Sequence, residues 1–449
     1  MKDLTTGNSF KALIQFALPM LLSMIFQQVY SIVDSVIAGK YIGVGALGAV
    51  GASQPITIIF IAIAIGTGMG INVVISGYFG AKKYQRVKSC ISTAVITCIV
   101  MSVVLTVVGL TGCNWMMHML STPKDIFGDA ALYLRIYIMG IAFLMLYNAA
   151  NSIFTALGDS VTPLIFLIFS SLLNIILDIV FVTTFHMGVS GVAWATFVAQ
   201  GLASVLAVIT VFVKVHKIKT KAYHKFNLVL LGKMSYIAIP SIMQQSFVSI
   251  GQLFVQGRIN MFGSVVVAGF SAAFKIQMFV IAGIQTIGNA VSSFSAQNHG
   301  AGKVERIRQG MKGGFKISIC LGLIFTGIAI LGREPLMGMF LSGNGTEALA
   351  TKAVGTQFLL IVAPFYFMIS IKFVTDGFLR GLGEMKGFMI STFADLIVRV
   401  ILSFALATPF GYVGIWSAWP IGWIFGTAGS VWFAKKANKH LCKDKARGM

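Results

Sequence analysis

Long apolar runs with few or no charged residues recur along the whole chain of 449 residues. Residues 91–110 and 192–213 contain no charged side chain, and residues 164–185 contain one. A helix needs about 20 residues to cross the hydrocarbon core of a bilayer. Strands of a transmembrane barrel would be about half as long and would alternate in polarity, which these runs do not. The sequence therefore predicts an all-α polytopic membrane protein.

Runs of this kind, with their uncharged flanks, predict twelve transmembrane helices. The predicted helices cover residues 12–38, 46–78, 88–112, 127–156, 162–185, 190–214, 228–257, 264–296, 310–332, 348–379, 387–409 and 413–434.

Basic residues are concentrated in alternate loops. Of the 34 Lys and Arg residues, Lys275, Lys372 and Arg399 are assigned to the apolar spans, and the others to loops and the adjoining span ends, 25 of them on one side. The six on the other side are Lys40, Lys124, Arg135, Arg258, Arg333 and Lys352. The positive-inside rule then places both termini in the cytoplasm of a multi-pass protein of the inner (plasma) membrane. A net charge of +21 would suit a nucleic-acid partner, but the concentration of the charges in alternate loops argues against one and predicts contact of these loops with anionic lipids.

The two halves of the chain resemble each other. Residues 80–88 read GAKKYQRVK and residues 300–308 read GAGKVERIR, while LGD at 157–159 corresponds to LGE at 382–384. These matches lie in the same order at nearly constant spacing. They predict two six-helix lobes, 1–221 and 222–449, related by a pseudo-twofold axis along the membrane normal. Such repeats place a substrate pathway at the repeat interface.

Charged residues inside the predicted spans are costly and are therefore candidates for function. They are Asp34, Asp178, Lys275, Lys372, Asp376, Asp395 and Arg399. Lys372 and Asp376 are four residues apart on one helix, and so are Asp395 and Arg399. This spacing allows each pair to neutralise itself, which predicts two structural ion pairs. Lys275 has no such neighbour, and the sequence assigns it no role.

Asp34 and Asp178 have no basic residue three or four positions away. Desolvation disfavours a bare carboxylate there, so each acid must hold either a proton or a metal cation such as Na⁺. Asn174 shares a helix face with Asp178, Gln27 shares one with Asp34, and Thr196 is expected at the same membrane depth. These oxygen-bearing side chains predict a cation-coupling site in the N-terminal lobe. No cofactor and no other metal site are predicted.

With these features together, the chain resembles the multidrug and toxin extrusion (MATE) family. The resemblance rests on the proline-containing first helix ending in SIVDSVIAG at 31–39, the two GAxK loops, and NIILD at 174–178. It implies an efflux antiporter driven by H⁺ or Na⁺. It further implies a cation site at Asp34, Asn174, Asp178 and Thr196, and a substrate cavity lined by Gln27 and Asn151. Ile179 stands where many members have proline, and glutamines replace the acid that some members carry in helix seven.

Pro19 lies inside the first predicted helix. Proline lacks the N–H that closes the helical hydrogen-bond ladder. We therefore expect a bend at Pro19 that responds to occupancy of the site around Asp34.

Two other functions compete with a monomeric exporter of amphipathic or cationic small molecules. A lipid-linked oligosaccharide flippase would share the architecture, but pyrophosphate recognition calls for a strongly basic central cavity. A polytopic membrane enzyme would need catalytic side chains clustered near one interface, and the sequence shows no such cluster. Sequence alone leaves the choice between H⁺ and Na⁺ open.

The predicted topology can be tested with single cysteines placed in loops. Cysteines at positions 221 and 439 are expected to react only with membrane-permeant reagents in intact cells. Cysteines at positions 124 and 345 are expected to react with impermeant maleimides. Labelling of position 221 from outside would contradict the topology.

Overall fold

The structure is a computed structural model that describes residues 2–41, 44–120, 122–124, 126–220, 222–340 and 345–446, without the side chains of 32–41, 44–47 and 443–446. Every regular secondary-structure element in these residues is a helix. The helices are α1 (Ser9–Tyr41), α2 (Val44–Gly80), α3 (Tyr84–Met119), α4 (Phe127–Met139), α5 (Ile141–Ala156), α6 (Val161–Ile179), α7 (Gly188–His216), α8 (Leu228–Asn260), α9 (Ser264–Gly300), α10 (Val304–Leu331), α11 (Arg333–Gly338), α12 (Thr346–Val362), α13 (Tyr366–Gly381) and α14 (Met385–Ala446).

The described helices account for the twelve predicted spans. Nine helical segments are long and apolar enough to cross a membrane, and α4 with α5 forms a further one that bends by 46°. The long helix α14 holds two spans, because its backbone leaves the helical conformation at Gly411 (φ 61°, ψ −147°). The glutamine-bearing α8, 33 residues long, completes the twelve. The predicted all-α, twelve-helix fold is confirmed.

The internal repeat is also present in the backbone. Lys82 and Gly302, at corresponding positions of the two GAxK loops, both adopt a left-handed conformation (φ 56° and 69°). Gly158 and Gly383, in the LGD and LGE turns, do so as well (φ 74° and 78°). In both of these turns the N–H after the glycine bonds to the carbonyl five residues back, at 2.9 Å. This pattern is the Schellman ending of a helix, so the repeated letters encode repeated turns.

The chain forms two compact units. Unit 1 contains Met1–Asp3 and Leu18–Met243, and unit 2 contains Leu4–Ala17 and Gln244–Met449. Each unit thus includes the first part of a proline-containing helix from the other half of the repeat. The part of α1 up to Ala17, two residues before Pro19, belongs to unit 2, and the part of α8 up to Met243, three residues after Pro240, belongs to unit 1. The predicted lobe boundaries at 1–221 and 222–449 stay a prediction, since the units exchange these segments.

Each unit has its own core. In unit 1, α5 packs against α2, α3 and α7. In unit 2, α13 packs against α9, α10 and α14, and three tryptophans of α14 (Trp416, Trp419 and Trp423) are at most 1% exposed. Their rings and that of Phe358 form edge-to-face contacts, with ring centroids 5.8 to 6.3 Å apart. Such aromatic pairs add directional packing to area burial.

Unit 2 binds the backbone of the segment that precedes α1. The Arg306 guanidinium donates to the carbonyls of Leu4, Thr6 and Gly7, and Lys303 Nζ donates to the Thr5 carbonyl at 2.8 Å. Leu4 is completely buried. The basic residues of the GAGKVERIR loop therefore have a structural role, since they satisfy carbonyl groups that precede the helix.

Unit 1 treats the segment before α8 in a similar way. Gln85 Nε2 donates to the Ala222 carbonyl, and the Asn227 N–H donates to Thr93 Oγ1 at 3.1 Å. Asn227 Oδ1 then accepts from the N–H of Leu230 at 3.1 Å, which caps the start of α8. Both segments are thus fixed by the loop or helix that follows a GAxK turn.

Glycines allow close packing of two helices in unit 2, α9 and α13. A Cβ added at Gly377 would lie 2.1 Å from the carbonyl oxygen of Gly288, and one at Gly288 would lie 2.5 Å from the carbonyl oxygen of Phe373. Small residues at such crossings let helices associate by close packing in lipid, where the hydrophobic effect does not drive association.

We expect Gly377→Ala to lower the apparent melting temperature of the detergent-purified protein, because the added methyl group meets backbone that cannot rotate away. Overpacking of this kind costs about 1–3 kcal/mol. Gly327→Ala on α10 is the matched control, since no heavy atom lies within 4 Å of its added Cβ, and it is expected to leave stability unchanged or higher. Equal melting temperatures for the two variants would contradict close packing at this crossing.

Candidate functional site

Helix α6 has its polar residues inside and its apolar residues outside. Its buried side chains are Ser171, Asn174 and Asp178, which recur at helical spacing along one face. Leu172 and Ile176, on the opposite side, are each 58% exposed. This is the reverse of a water-soluble helix and suits a helix that turns its apolar face to lipid. The helix therefore presents its carboxyl and amide groups to the interior of unit 1.

Asp178, Asn174, Tyr30 and Thr196 come together in unit 1, on α6, α1 and α7. Asp178 is completely buried and Asn174 is 3% exposed. The Asn174 amide lies 2.9 Å from Asp178 Oδ2, 2.6 Å from the Tyr30 hydroxyl and 3.1 Å from the backbone nitrogen of Thr196. Asn174 therefore connects the buried acid to two neighbouring helices. The predicted proximity of Asn174, Asp178 and Thr196 agrees with this geometry, while the coupling role remains a prediction.

The orientation of the Asn174 amide follows from its neighbours. With its nitrogen toward Asp178 Oδ2 and the Tyr30 hydroxyl, the amide oxygen accepts from the Thr196 N–H, and both ends of the amide have partners. The opposite orientation would bring the amide oxygen against Asp178 Oδ2, and two acceptors tolerate that contact only if Asp178 carries a proton.

The α6 helix changes its winding directly after this site. Residues Val180–Thr184 continue as a π-helical turn, in which Thr183 Oγ1 donates to the Ile179 carbonyl at 2.7 Å. Insertions of this kind are frequent at functional sites, because they redirect the side chains beside them. The turn begins at Val180, two residues after Asp178. The residue between them, Ile179, stands where many members of the family have proline.

Four other predicted site residues are Asp34, Gln27, Asn151 and Pro19. Asp34 lies within α1, but its side chain is outside the described part of the chain, so its predicted role as second acid remains a prediction. Gln27 is exposed and Asn151 is partly buried, and neither cavity role is tested by these positions. Helix α1 runs through Pro19 without interruption, and the predicted bend there also remains a prediction.

Tyr30 was not identified from the sequence, although a signal for it exists. It lies four residues before Asp34, so it shares a helix face with that acid. A phenol hydroxyl both donates and accepts hydrogen bonds, so a tyrosine at this spacing is a candidate partner for the site.

A second buried charge cluster lies in unit 2. Lys372 Nζ is 2.7 Å from Asp376 Oδ2 and 4.0 Å from Asp395 Oδ2, and Ser430 Oγ donates to Asp376 Oδ1 at 2.5 Å. All these side chains are nearly buried. The first predicted pair, Lys372 with Asp376, is thus present as a direct ion pair. One lysine, however, is placed between two carboxylates.

The second predicted pair is not formed as the spacing suggested. No ion pair joins Asp395 to Arg399 among the described residues; the Arg399 guanidinium instead lies over the Trp419 ring, 4.5 Å from its centroid. The indole face attracts the cation, and Lys372 from α13 takes the place beside Asp395. Helix spacing alone misses this arrangement because Lys372 comes from α13 and Trp419 from the part of α14 after the break at Gly411.

The second half of the repeat has no copy of the Asp178 site. The positions that correspond to Asp34 and Asp178 hold Val255 and Ser403, both buried. Lys275 is exposed, with its Nζ 5.8 Å from the Phe340 ring centroid. Within the described residues, no three His, Cys, Asp or Glu side chains are grouped to hold a metal ion. The candidate site is therefore confined to unit 1.

Comparison with known proteins assigns the family. The MatE family model matches residues 19–180 and 240–405, most of both halves. The chain is 28% identical over 423 residues to the probable multidrug resistance protein YpnP of Bacillus subtilis, covering 93% of this chain and 90% of that protein. It is 23% identical to the multidrug export protein MepA of Staphylococcus haemolyticus, covering 92% and 90%.

Solved structures share the fold. One is described as the outward-facing conformation of a multidrug resistance MATE family transporter of the MOP superfamily; it matches with a TM-score of 0.91 at 23% identity over 99% of each chain. A MOP superfamily transporter from Pyrococcus furiosus matches with a TM-score of 0.89, also at 23% identity, over 98% of each chain.

We expect Lys372→Met to destabilise the protein strongly, because it leaves Asp376 and Asp395 buried without a cation. Stranding a buried charge costs about 3–5 kcal/mol. A triple variant that also carries Asp376→Asn and Asp395→Asn is expected to recover much of the loss, and the exposed Lys386→Met is the control. Thermal unfolding in detergent measures all three. A triple variant less stable than Lys372→Met would contradict the assignment of Lys372 as the counter-charge of these acids.

Proposed function

The chain belongs to the MatE family of multidrug efflux transporters, and from that premise we propose that it exports amphipathic or cationic small molecules from the cytoplasm in exchange for H⁺ or Na⁺. It is a transporter rather than an enzyme. The relatives named above as multidrug resistance and export proteins support the substrate class.

The completely buried Asp178, bridged by Asn174 to α1 and α7, is the observation that carries this proposal. A buried carboxyl that can be charged or neutral changes the charge of the site by one unit without moving the backbone. We propose that Asn174 converts that change into a different set of hydrogen bonds, because a protonated Asp178 can donate to the amide oxygen once the amide turns over. The bonds to Tyr30 on α1 and Thr196 on α7 then exchange donors for acceptors, so protonation at α6 is felt by two other helices.

Coupling follows if the two states of the site favour different conformations. An ion shifts a conformational equilibrium only by binding the two conformations unequally. Asp34 lies four residues after Tyr30 on α1, and the same helix carries Pro19, where the backbone ladder lacks one N–H. We propose that occupancy of the site biases a bend of α1 and so drives release of the substrate.

Both candidate ions suit the residue types present. Protonation uses Asp178 and the turnover of Asn174 described above. A Na⁺ ion would use carboxylate, amide and hydroxyl oxygens, the hard ligands that such cations prefer; Asp178, Asn174, Thr196 and Asp34 supply these groups. No further cofactor is proposed.

The proposed orientation has both termini in the cytoplasm of a multi-pass inner-membrane protein. The concentration of Lys and Arg in alternate loops supports it. These loops, which include Lys82, Lys83 and Arg86, would also contact anionic headgroups. We propose a monomer as the transporting species.

The alternative function, a lipid-linked oligosaccharide flippase, is less well supported. Capture of a pyrophosphate calls for cations that are free to bind it. In unit 2, however, Lys372 is held between Asp376 and Asp395, and Arg399 lies over Trp419.

We expect Asp178→Asn to abolish gradient-driven transport and to leave substrate binding largely intact, because the amide imitates the protonated acid and keeps the site in one state. The same result is expected for Asp34→Asn, and a milder loss for Asp376→Asn. Asp129→Asn, at an exposed position of α4, is the control. Efflux of ethidium from proteoliposomes with imposed H⁺ or Na⁺ gradients, beside equilibrium ethidium binding, measures both properties. Full efflux by Asp178→Asn would contradict the mechanism.

A further inference from the structure

We propose that a row of hydroxyl and amide side chains inside unit 1 carries the coupling proton from Asp178 toward the cytoplasmic end of that unit, with the Tyr147 hydroxyl as its central relay. The inference rests on the proposed function and extends it, since it names a route for the ion and commits to H⁺. The row consists of Asn174, Ser170, Tyr147, Asn151, Thr155 and Asn72, on helices α6, α5 and α2.

The row begins on the polar face of α6. Asn174 lies 2.9 Å from Asp178 Oδ2. Ser170 is one helical turn further from Asp178 on the same face, and its hydroxyl donates to the Leu167 carbonyl at 3.1 Å. Ser171, beside it, is buried. The polar face of α6 therefore continues past the site, into the part of the unit where α5 lies alongside.

Tyr147 on α5 continues the row. Its hydroxyl faces the side chains of Ser170 on α6 and Asn151 on α5. Yet the Tyr147 hydroxyl and Asn151 Oδ1 are buried atoms that make no direct hydrogen bond of ordinary geometry within the described residues. Buried polar atoms in native proteins are generally satisfied, and where no side chain does so a bound water does. The Tyr147–Asn151–Ser170 group is therefore a place for internal water between two membrane helices.

The lower part of the row is tied to the α5 backbone and to α2. Thr155 Oγ1 donates to the Asn151 backbone carbonyl at 2.9 Å and accepts from Asn72 Nδ2 of α2 at 2.7 Å. Asn72 Nδ2 also donates to the Ser152 carbonyl at 3.2 Å. Two residues after Thr155 the α5 helix has ended, so the row reaches the end of unit 1 that the proposed orientation places in the cytoplasm.

An acid stands at this end. Asp159 pairs with Lys214 and accepts from Thr162 at 2.8 Å. Burial alone would raise the pKa of Asp159, but the hydrogen bonds from Lys214 and Thr162 outweigh it and lower the pKa. Asp159 therefore stays ionised at neutral pH, and Lys214 is its counter-charge at the end of the row.

The chemistry needs no redox partner or other reactant. Tyr147 accepts a proton on its hydroxyl oxygen from a water on the Ser170 side and gives up its own proton to a water on the Asn151 side, so its charge is the same before and after. Amide groups are poor proton carriers, and Asn151 and Asn72 are assigned to orienting the waters. One proton leaves Asp178 and one reaches the cytoplasmic end.

A break in the row explains how leakage is avoided. Asn174 and Ser170 are one turn apart, and each makes its hydrogen bonds elsewhere: Asn174 with Tyr30 and Thr196, and Ser170 with Leu167. Within the described residues, no hydrogen bond joins Asn174 to Ser170 in this conformation. A shift of α6, or water entering between these two residues, would complete the connection in the other conformation.

The test compares Tyr147→Phe with Tyr137→Phe in proteoliposomes that contain the full chain and a pH-sensitive dye. Both tyrosines lie in unit 1, and Tyr137, on α4, is outside the row. Tyr147→Phe is expected to slow ethidium-driven proton uptake by about tenfold or more, as removal of a proton-transfer group does, with unchanged ethidium binding. It is also expected to increase the solvent isotope effect in D₂O, because proton transfer becomes rate-limiting. Tyr137→Phe is expected to match the unmodified protein.

Three results overturn the proposal. They are unchanged rate and isotope effect in Tyr147→Phe, an equal slowing in Tyr137→Phe, or ethidium efflux that follows a Na⁺ gradient without proton uptake in the unmodified protein. The last would leave antiport through Asp178 intact, whereas full transport by Asp178→Asn would overturn the proposed function itself. Ser170→Ala is the second variant. It removes only a partner of Tyr147 and is expected to show a smaller change in the same direction.

Discussion

Every polar group within the membrane-spanning part of this chain has to find its partner inside the protein, because lipid hydrocarbon offers none. That constraint explains why the described spans are helical and why α6 turns Asn174 and Asp178 inward while Ile176 faces out. It also explains why Lys372 is placed between two carboxylates. The same requirement makes the Asp178 site sensitive to protonation. Because Asp178 is completely buried, neighbouring side chains rather than bulk solvent have to change their hydrogen bonds when it gains or loses a proton.

Much of the fold could be predicted because the bilayer sets the length of each spanning helix and the distribution of charge sets the orientation. Apolar runs of sufficient length mark the helices, and the GAxK and LGD/LGE repeats mark turns whose left-handed residues recur in both halves. The exchange of half-helices between the units could not be predicted in this way. It depends on which helices pack together over long sequence distances, as when a Cβ at Gly70 would lie 2.4 Å from the carbonyl oxygen of Met234, and no local pattern records such contacts.

The candidate site was predictable where partners share one helix or one depth, as Asn174, Asp178 and Thr196 do. It was not predictable where the partner comes from another helix or from beyond the break in α14. Arg399 has Asp395 one turn away but lies over Trp419, and Lys372 reaches across to Asp395. A spacing rule counts candidates on one helix, whereas the preferred partner depends on side chains brought together only by tertiary packing. Tyr30 is an intermediate case, since its spacing from Asp34 was visible and only its hydroxyl chemistry was overlooked.

The exchange of segments between the units has a consequence for how such a chain is made and how it arose. Residues Leu4–Ala17 complete unit 2, and residues 228–243 complete unit 1. During synthesis, unit 1 therefore stays incomplete until the second half of the chain begins to insert. Residues Leu4–Ala17, which are made first, can pack in unit 2 only after the helices of the second half have been made. A single ancestral half would have lacked the same piece and could complete itself only by trading its first helix with another copy, as in a domain-swapped dimer. Fusion of two copies would then have made that trade permanent.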